Sequence, residues 1–138
     1  MDYLEEKFAD FEKALLTLKE AVGMPKSIIN RDASLKRFEF TFELFWKTAK
    51  VYLKETEGIE CASPKSCFRE IRVTVGLSEE NIEQCMSMAN DRNLSVHIYS
   101  EEQADILYGK LPRYLETMEL IAEKIKEKAK IKSNLYEQ

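Results

Sequence analysis

The sequence predicts an all-α fold, an antiparallel up-and-down bundle of four to five helices. Its 138 residues include only 4 glycines and 3 prolines, so few positions interrupt regular structure. Apolar residues recur three and four positions apart through most of the chain, and no stretch shows the alternation typical of a half-buried strand. We expect a single domain over residues 1–138, in which the charged segment 126–138 frays.

Caps and helix breakers divide the chain into five helical segments. Gly58 and Gly76 end the second and third segments, and Ser63-Pro64 and Ser100 are typical starts for the third and fifth. Several residues between 27 and 32 could cap the second segment, and the sequence does not choose among them. The predicted segments are about 2–22, 30–57, 63–75, 78 to about 91, and 100 to about 125.

The second segment is the most apolar part of the chain. One stripe of 3–4 spacing contains Leu35, Phe38, Phe42, Phe45, Ala49 and Tyr52, and further apolar residues lie outside it: Phe40, Leu44, Trp46, Val51 and Leu53. A helix that is apolar over so much of its circumference must be covered on more than one side. Either it is the central helix of the bundle, or part of its surface meets a partner.

The overall charge and the apolar runs exclude several classes of protein. A net charge of −4 argues against an extended basic face for nucleic acid, although it leaves room for a local phosphate site. The first residues contain no apolar signal-peptide region, and no apolar run approaches the ~20 residues that span a bilayer. We therefore expect a cytoplasmic protein that does not enter the membrane.

The three cysteines, Cys61, Cys67 and Cys85, have neither CxxC spacing nor a histidine nearby in the sequence, so no zinc site is predicted. We expect all three to be small reduced core residues, and we predict no metal and no cofactor.

A polar cluster, residues 91–99, is the strongest candidate for a functional site. It contains the only histidine of the chain, His97, together with Asp91, Arg92, Asn93 and Tyr99. The capping-box pattern at residues 100–103 predicts a new helix immediately after it, so the cluster should lie at a helix-to-helix junction. Such a cluster has a purely structural interpretation, in which the arginine binds the last helix carbonyls and the tyrosine packs.

The functional interpretation depends on two side chains. His97 can exchange a proton near neutral pH, and Arg92 offers a planar fork of donors that suits a phosphate. Together they provide the minimum needed to cleave RNA by attack of its own 2′-hydroxyl. On one continuous helix they would point roughly 140° apart. They can converge only if the helix breaks between them or if a second subunit supplies one of the pair.

Two acids of the second segment, Glu39 and Glu43, lie one helical turn apart among aromatic residues. They could hold a metal or act as acid and base, but no Glu-x-x-His companion accompanies them. We expect them to face solvent or to pair with Lys36 and Lys47 at helical spacing.

The same residues carry a family resemblance. Residues 92–99, Arg-Asn-Leu-Ser-Val-His-Ile-Tyr, match the Arg-x4-His-x-Tyr motif of the HEPN superfamily. Residues 37–47 and Asp91-Arg92-Asn93 resemble the nucleotidyltransferase substrate-binding-protein-like family within it, and Ser63-Pro64 and Arg69-Glu70 fall where that family would place them. The resemblance covers about residues 3–125.

This resemblance implies a helical bundle that forms a homodimer and acts with a small, minimal nucleotidyltransferase. In related toxin–antitoxin pairs the HEPN member is a metal-independent ribonuclease, and the partner silences it by adding AMP to the tyrosine of the motif. By position, Arg92 and His97 would be catalytic, Asn93 and Asp91 auxiliary polar residues, and Tyr99 the AMP acceptor. The alternative is a non-catalytic adaptor that presents substrate to the nucleotidyltransferase.

Overall fold

A computed structural model of the chain describes residues 2–95, 97–98 and 100–131. Within these residues the chain forms five α-helices and no strand, which confirms the all-α prediction. The helices are α1 (Tyr3–Gly23), α2 (Ile28–Tyr52), α3 (Pro64–Ile71), α4 (Glu79–Ser95) and α5 (Glu101–Ala129). The prediction of one domain over the whole chain stays a prediction.

Serine caps determine where four of the helices begin. Ser27 is the cap of α2 that the sequence left open, and its hydroxyl accepts the backbone N–H of Asn30 at 3.0 Å. The same bond from the residue three positions later is made to Ser63, Ser78 and Ser100. After α2 and α3 the chain continues through one π-helical turn each, Leu53–Glu57 and Arg72–Gly76. The first of these turns ends at Gly58, whose φ of 70° is left-handed and therefore favours glycine.

Helix α2 is the central member of the bundle and contacts each of the other four helices. Phe38, Phe42 and Phe45 are at most 1% exposed, and Leu53, which lies outside the main stripe, is also buried. The prediction that α2 is covered on more than one side is confirmed. Phe40 is the exception among its aromatic residues, with 54% of its surface exposed.

Stacked aromatic rings connect α2 to its neighbours. The ring centroids of Phe11 and Phe45 are 5.5 Å apart, and those of Phe45 and Phe68 are 5.1 Å apart. Phe38 stacks on Tyr114 at 5.6 Å. These contacts join α1, α3 and α5 to one core around α2.

The C-terminal end of α5 differs from the prediction. Fraying was expected from residue 126, but the helix continues to Ala129. Lys130 then adopts a left-handed conformation, and the backbone N–H of Ile131 donates to the carbonyl of Lys126 at 3.0 Å. This is a Schellman cap, and burial of Ile131 against the core stabilises it. Residues 132–138 lie outside the described residues.

Two of the three cysteines also contradict the prediction. Cys61 and Cys67 form a disulfide, with their Cα atoms 5.2 Å apart, whereas Cys85 is free and buried as expected. The loop before α3 folds back onto the first turns of that helix, and this brings the two residues together. Disulfides are uncommon in reducing compartments, so the cytoplasmic location remains only an expectation. None of the described helices is both long and apolar enough to cross a membrane.

Candidate functional site

The polar cluster lies at the junction between α4 and α5. Asp91 and Arg92 belong to the last turns of α4, which ends at Ser95, so the first half of the cluster is helical. His97 follows in a turn, exposed, with its backbone N–H donating to the carbonyl of Leu94 at 2.8 Å. The helix therefore ends between Arg92 and His97, which is one of the two conditions for their convergence. Tyr99, like Val96, lies outside the described residues.

Arg92 contacts an acid of the central helix. Its Nη2 lies 3.3 Å from Oε1 of Glu43, and 28% of its side chain is exposed. Its Nε is buried and has no hydrogen-bond partner among the described residues. Glu43 is shared, because Trp46 Nε1 donates to its Oε2 at 3.3 Å and Lys47 Nζ lies 3.6 Å away. The predicted Glu43–Lys47 pair is thus confirmed, but the contact with Arg92 was not foreseen.

Glu39 makes the corresponding contact one turn earlier on α2. Its Oε1 accepts the hydroxyl of Ser95 at 2.7 Å, and its Oε2 lies 3.6 Å from Lys36 Nζ. Two carboxylates of α2 therefore face the last turn of α4. Only the packing of α4 against α2 brings them there, so the sequence offered no signal beyond their spacing of one helical turn.

Asp91 faces α5 rather than the solvent. Its Oδ2 accepts the hydroxyl of Tyr114 and lies 3.2 Å from Lys110 Nζ. The Tyr114 hydroxyl also shares a hydrogen bond with Ser87. Burial, and then the bond to Asp91, raise the pKa of Tyr114 above its ordinary value. Tyr114 therefore connects the end of α4 to α5.

The two candidate catalytic residues line different cavities. His97 lies with Ser95 and Lys110 around a cavity of about 200 Å³ between α4 and α5. Arg92 and Asn93 line another, of about 290 Å³, between α4, α2 and the start of α3. The chain thus places both residues at one junction without bringing them into one cavity. No group of three or more metal-binding side chains occurs among the residues described.

Comparison with known proteins identifies the family of this chain. A family model described as nucleotidyltransferase substrate binding protein like matches residues 6–127. The chain belongs to this family. A crystal structure of a protein from Thermus thermophilus is 42% identical, with a TM-score of 0.80, and the match covers 84% of this chain and 98% of that one. A search of curated proteins gave no match. The family expected from residues 37–47 and Asp91-Arg92-Asn93 is confirmed.

In this member of the nucleotidyltransferase substrate-binding-protein-like family, a buried arginine that no sequence pattern predicted holds the start of α5. Arg31 is 4% exposed and lies between the first turns of α2 and α5. Its Nη1 lies 2.6 Å from Glu101 and 3.2 Å from Asp105, and its Nη2 lies 3.0 Å from Asp32. The hydrogen bond that Arg31 donates to Asp105 holds the pKa of this carboxyl below its ordinary value. These ion pairs fix the start of α5 immediately after the His97 turn.

Replacing Tyr114 with phenylalanine should reduce the alkaline destabilisation of this protein. The pKa values of Tyr52 and Tyr114 are both raised in the folded state, so above about pH 10 the unfolded chain loses protons that the folded one keeps. The free energy of unfolding therefore falls as pH rises, by up to about 1.4 kcal/mol per pH unit for each tyrosine. Urea unfolding between pH 8 and 11 should show a shallower fall for Tyr114→Phe than for wild type. Equal slopes would contradict a raised pKa at Tyr114.

Proposed function

We propose that this chain is the HEPN component of a two-gene module with a minimal nucleotidyltransferase, and that it is a toxin-like, metal-independent endoribonuclease. Membership of the nucleotidyltransferase substrate-binding-protein-like family supports the choice of partner. The observation that carries the ribonuclease proposal is the end of α4 at Ser95, between Arg92 and His97. It leaves an exposed histidine in a turn and an arginine on the preceding helical turn, at the same end of the bundle.

A homodimer would complete this site. Because Arg92 and His97 line separate cavities of one chain, we infer that His97 of one subunit acts beside Arg92 of the other. A two-fold axis near the α4–α5 junction would form two such sites, since each chain gives one residue to each. Phe40 and Leu94, which are 54% and 62% exposed, offer apolar surface at this end for such an interface.

The proposed reaction is cleavage of RNA by its own 2′-hydroxyl. The 2′-oxygen bonds to phosphorus, the bond from phosphorus to the 5′-oxygen breaks, and one proton passes from the 2′-hydroxyl to the leaving oxygen through His97. Arg92 binds the phosphate and stabilises the charge that develops on it. The RNA phosphate must displace Glu43, which holds the same guanidinium in the free chain. Asn93 assists as a polar residue, and Asp91 positions the end of α4.

Regulation is proposed at Tyr99. The partner would transfer AMP from ATP to the phenol oxygen, which bonds to the α-phosphorus as pyrophosphate leaves and the phenol proton passes to solvent. The added group would fill the junction next to His97. AMP adds a negative charge, which would repel RNA from the site of a protein that already carries a net charge of −4. The modification would therefore silence the ribonuclease without any change of fold.

A second function is a non-catalytic adaptor that presents substrate to the nucleotidyltransferase. The ion pair between Arg92 and Glu43 favours the adaptor function, because an arginine that is already paired with a carboxylate binds an RNA phosphate less tightly. The acidic net charge also suits a protein partner better than long RNA.

Growth after expression distinguishes the two functions. The ribonuclease proposal predicts that expression of this chain alone slows growth, and that co-expression of the nucleotidyltransferase encoded beside it restores growth. The adaptor proposal predicts normal growth in both cases and co-purification of the two proteins. An exposed histidine contributes little to folding, so His97→Ala should remain soluble, and toxicity that persists in this variant would refute the ribonuclease proposal.

A further inference from the structure

We propose that the cavity next to Arg92 is a phosphate-binding site in which Lys65 is the second cation. In the absence of phosphate, Glu43 forms an ion pair with Arg92. The site goes beyond the proposed cleavage of RNA, because it binds phosphate whether or not His97 does chemistry. Its lining includes Lys65, Arg92 and Asn93, together with Glu43 and the start of α3.

The cavity has a suitable size and suitable groups. Its volume of about 290 Å³ is close to the lower end of the range of about 300–1,000 Å³ typical of ligand pockets. Arg92 supplies a planar fork of donors, Lys65 a compact cation, and Asn93 an amide. Phosphate oxygens can accept from all three groups at once, whereas a single carboxylate cannot reach so many donors.

Two donors of the lining lack partners. Nε of Arg92 is buried without a hydrogen bond to any described residue, and a buried donor left in this state costs free energy. Lys65 is half-buried in the first turn of α3 and has no salt bridge within the described part of the chain. An anion in the cavity would provide a partner for both groups, so both favour the binding of an anion.

Glu43 is the group that phosphate must replace. Its Oε1 lies 3.3 Å from Arg92, while its Oε2 accepts from the indole of Trp46. Lys47 Nζ lies 3.6 Å from Oε2 of Glu43 and can keep its ion pair with the carboxylate after Arg92 is released. Trp46 is the only tryptophan of the chain, so its emission reports directly on the departure of Glu43.

The test is a titration of the purified chain with inorganic phosphate, AMP and adenosine at constant ionic strength. Binding is followed by Trp46 emission and, independently of it, by phosphorus NMR line widths for the two phosphate compounds. We expect saturable binding of phosphate and AMP and none of adenosine. Tighter binding of AMP would identify a nucleotide as the source of the phosphate, and binding of inorganic phosphate alone would identify the free anion.

Three variants test the assignment of residues. Lys65→Ala should raise the dissociation constant about tenfold, because a charge-assisted hydrogen bond is lost. The control is Lys13→Ala, which removes the same charge at an exposed position of α1 and should leave the dissociation constant unchanged. Glu43→Gln should lower the dissociation constant, because the competing carboxylate is removed.

If neither method detects saturable binding, the phosphate site is refuted. Equal dissociation constants of Lys65→Ala and Lys13→Ala for phosphate would also refute it. Phosphate binding in this cavity depends on Arg92 and Lys65 and does not require proton transfer by His97. A chain that binds phosphate but does not cleave RNA would therefore refute the ribonuclease and leave this site standing.

Discussion

Replacing His97 with alanine is expected to lower the rate of RNA cleavage by a factor of about 10²–10⁴, the usual contribution of a positioned acid or base. His97 is exposed in the turn between α4 and α5, and its side chain is the only imidazole of the chain. No other side chain at the junction has an ordinary pKa near 7, so nothing nearby should replace it. The measurement is single-turnover cleavage of total RNA by the purified protein, without added metal.

The matched control is Asn90→Ala, an exposed position of α4 ahead of the cluster. It should cleave RNA at the wild-type rate. Both variants should unfold at the wild-type urea concentration, since neither side chain is buried. Equal rates for His97→Ala and wild type would show that the cleavage comes from another group or from a contaminant.

Replacing Tyr99 with phenylalanine is expected to abolish the addition of AMP and, with it, the protection of the host by the partner. The phenol oxygen is the proposed acceptor, and phenylalanine removes only that atom. Intact-protein mass after co-expression with the nucleotidyltransferase should show added AMP units on wild type and none on Tyr99→Phe. Cells that express the variant with the partner should still grow slowly.

Tyr108→Phe is the control for this experiment, because Tyr108 is a partly buried tyrosine of α5. It should accept AMP units as wild type does. An unmodified wild-type mass would contradict silencing by AMP and favour the adaptor. Loss of AMP units in both variants would instead point to a general defect in recognition by the partner.

The sequence predicted the bundle well because helix caps and apolar spacing are local signals. The inward stripe through Phe38, Phe42 and Phe45 follows from neighbouring residues alone, as does the stop at Gly58 after the π-helical turn that continues α2. The same holds for the break after α4, since Ser100 caps the next helix whatever else surrounds it.

The contacts that shape the site depend on how separate helices pack. Glu43 meets Arg92 across 49 positions of sequence, and no local pattern distinguishes this pair from the equally regular Glu43–Lys47 pair. Arg31 was missed for the same reason, because its partner Glu101 lies on another helix. The disulfide between Cys61 and Cys67 depends on the fold of one loop, which residue spacing does not specify.

Mixed dimers test most directly the claim that Arg92 and His97 act together across two subunits. Chains carrying Arg92→Ala and His97→Ala would be co-expressed with different affinity tags, and the heterodimer isolated by two successive purifications. One of its two sites then contains an intact arginine and an intact histidine from different chains. We expect about half of the wild-type cleavage rate from this heterodimer, although each variant alone is inactive. A heterodimer as inactive as its parent variants, beside an active wild-type dimer purified in the same way, would contradict the shared site.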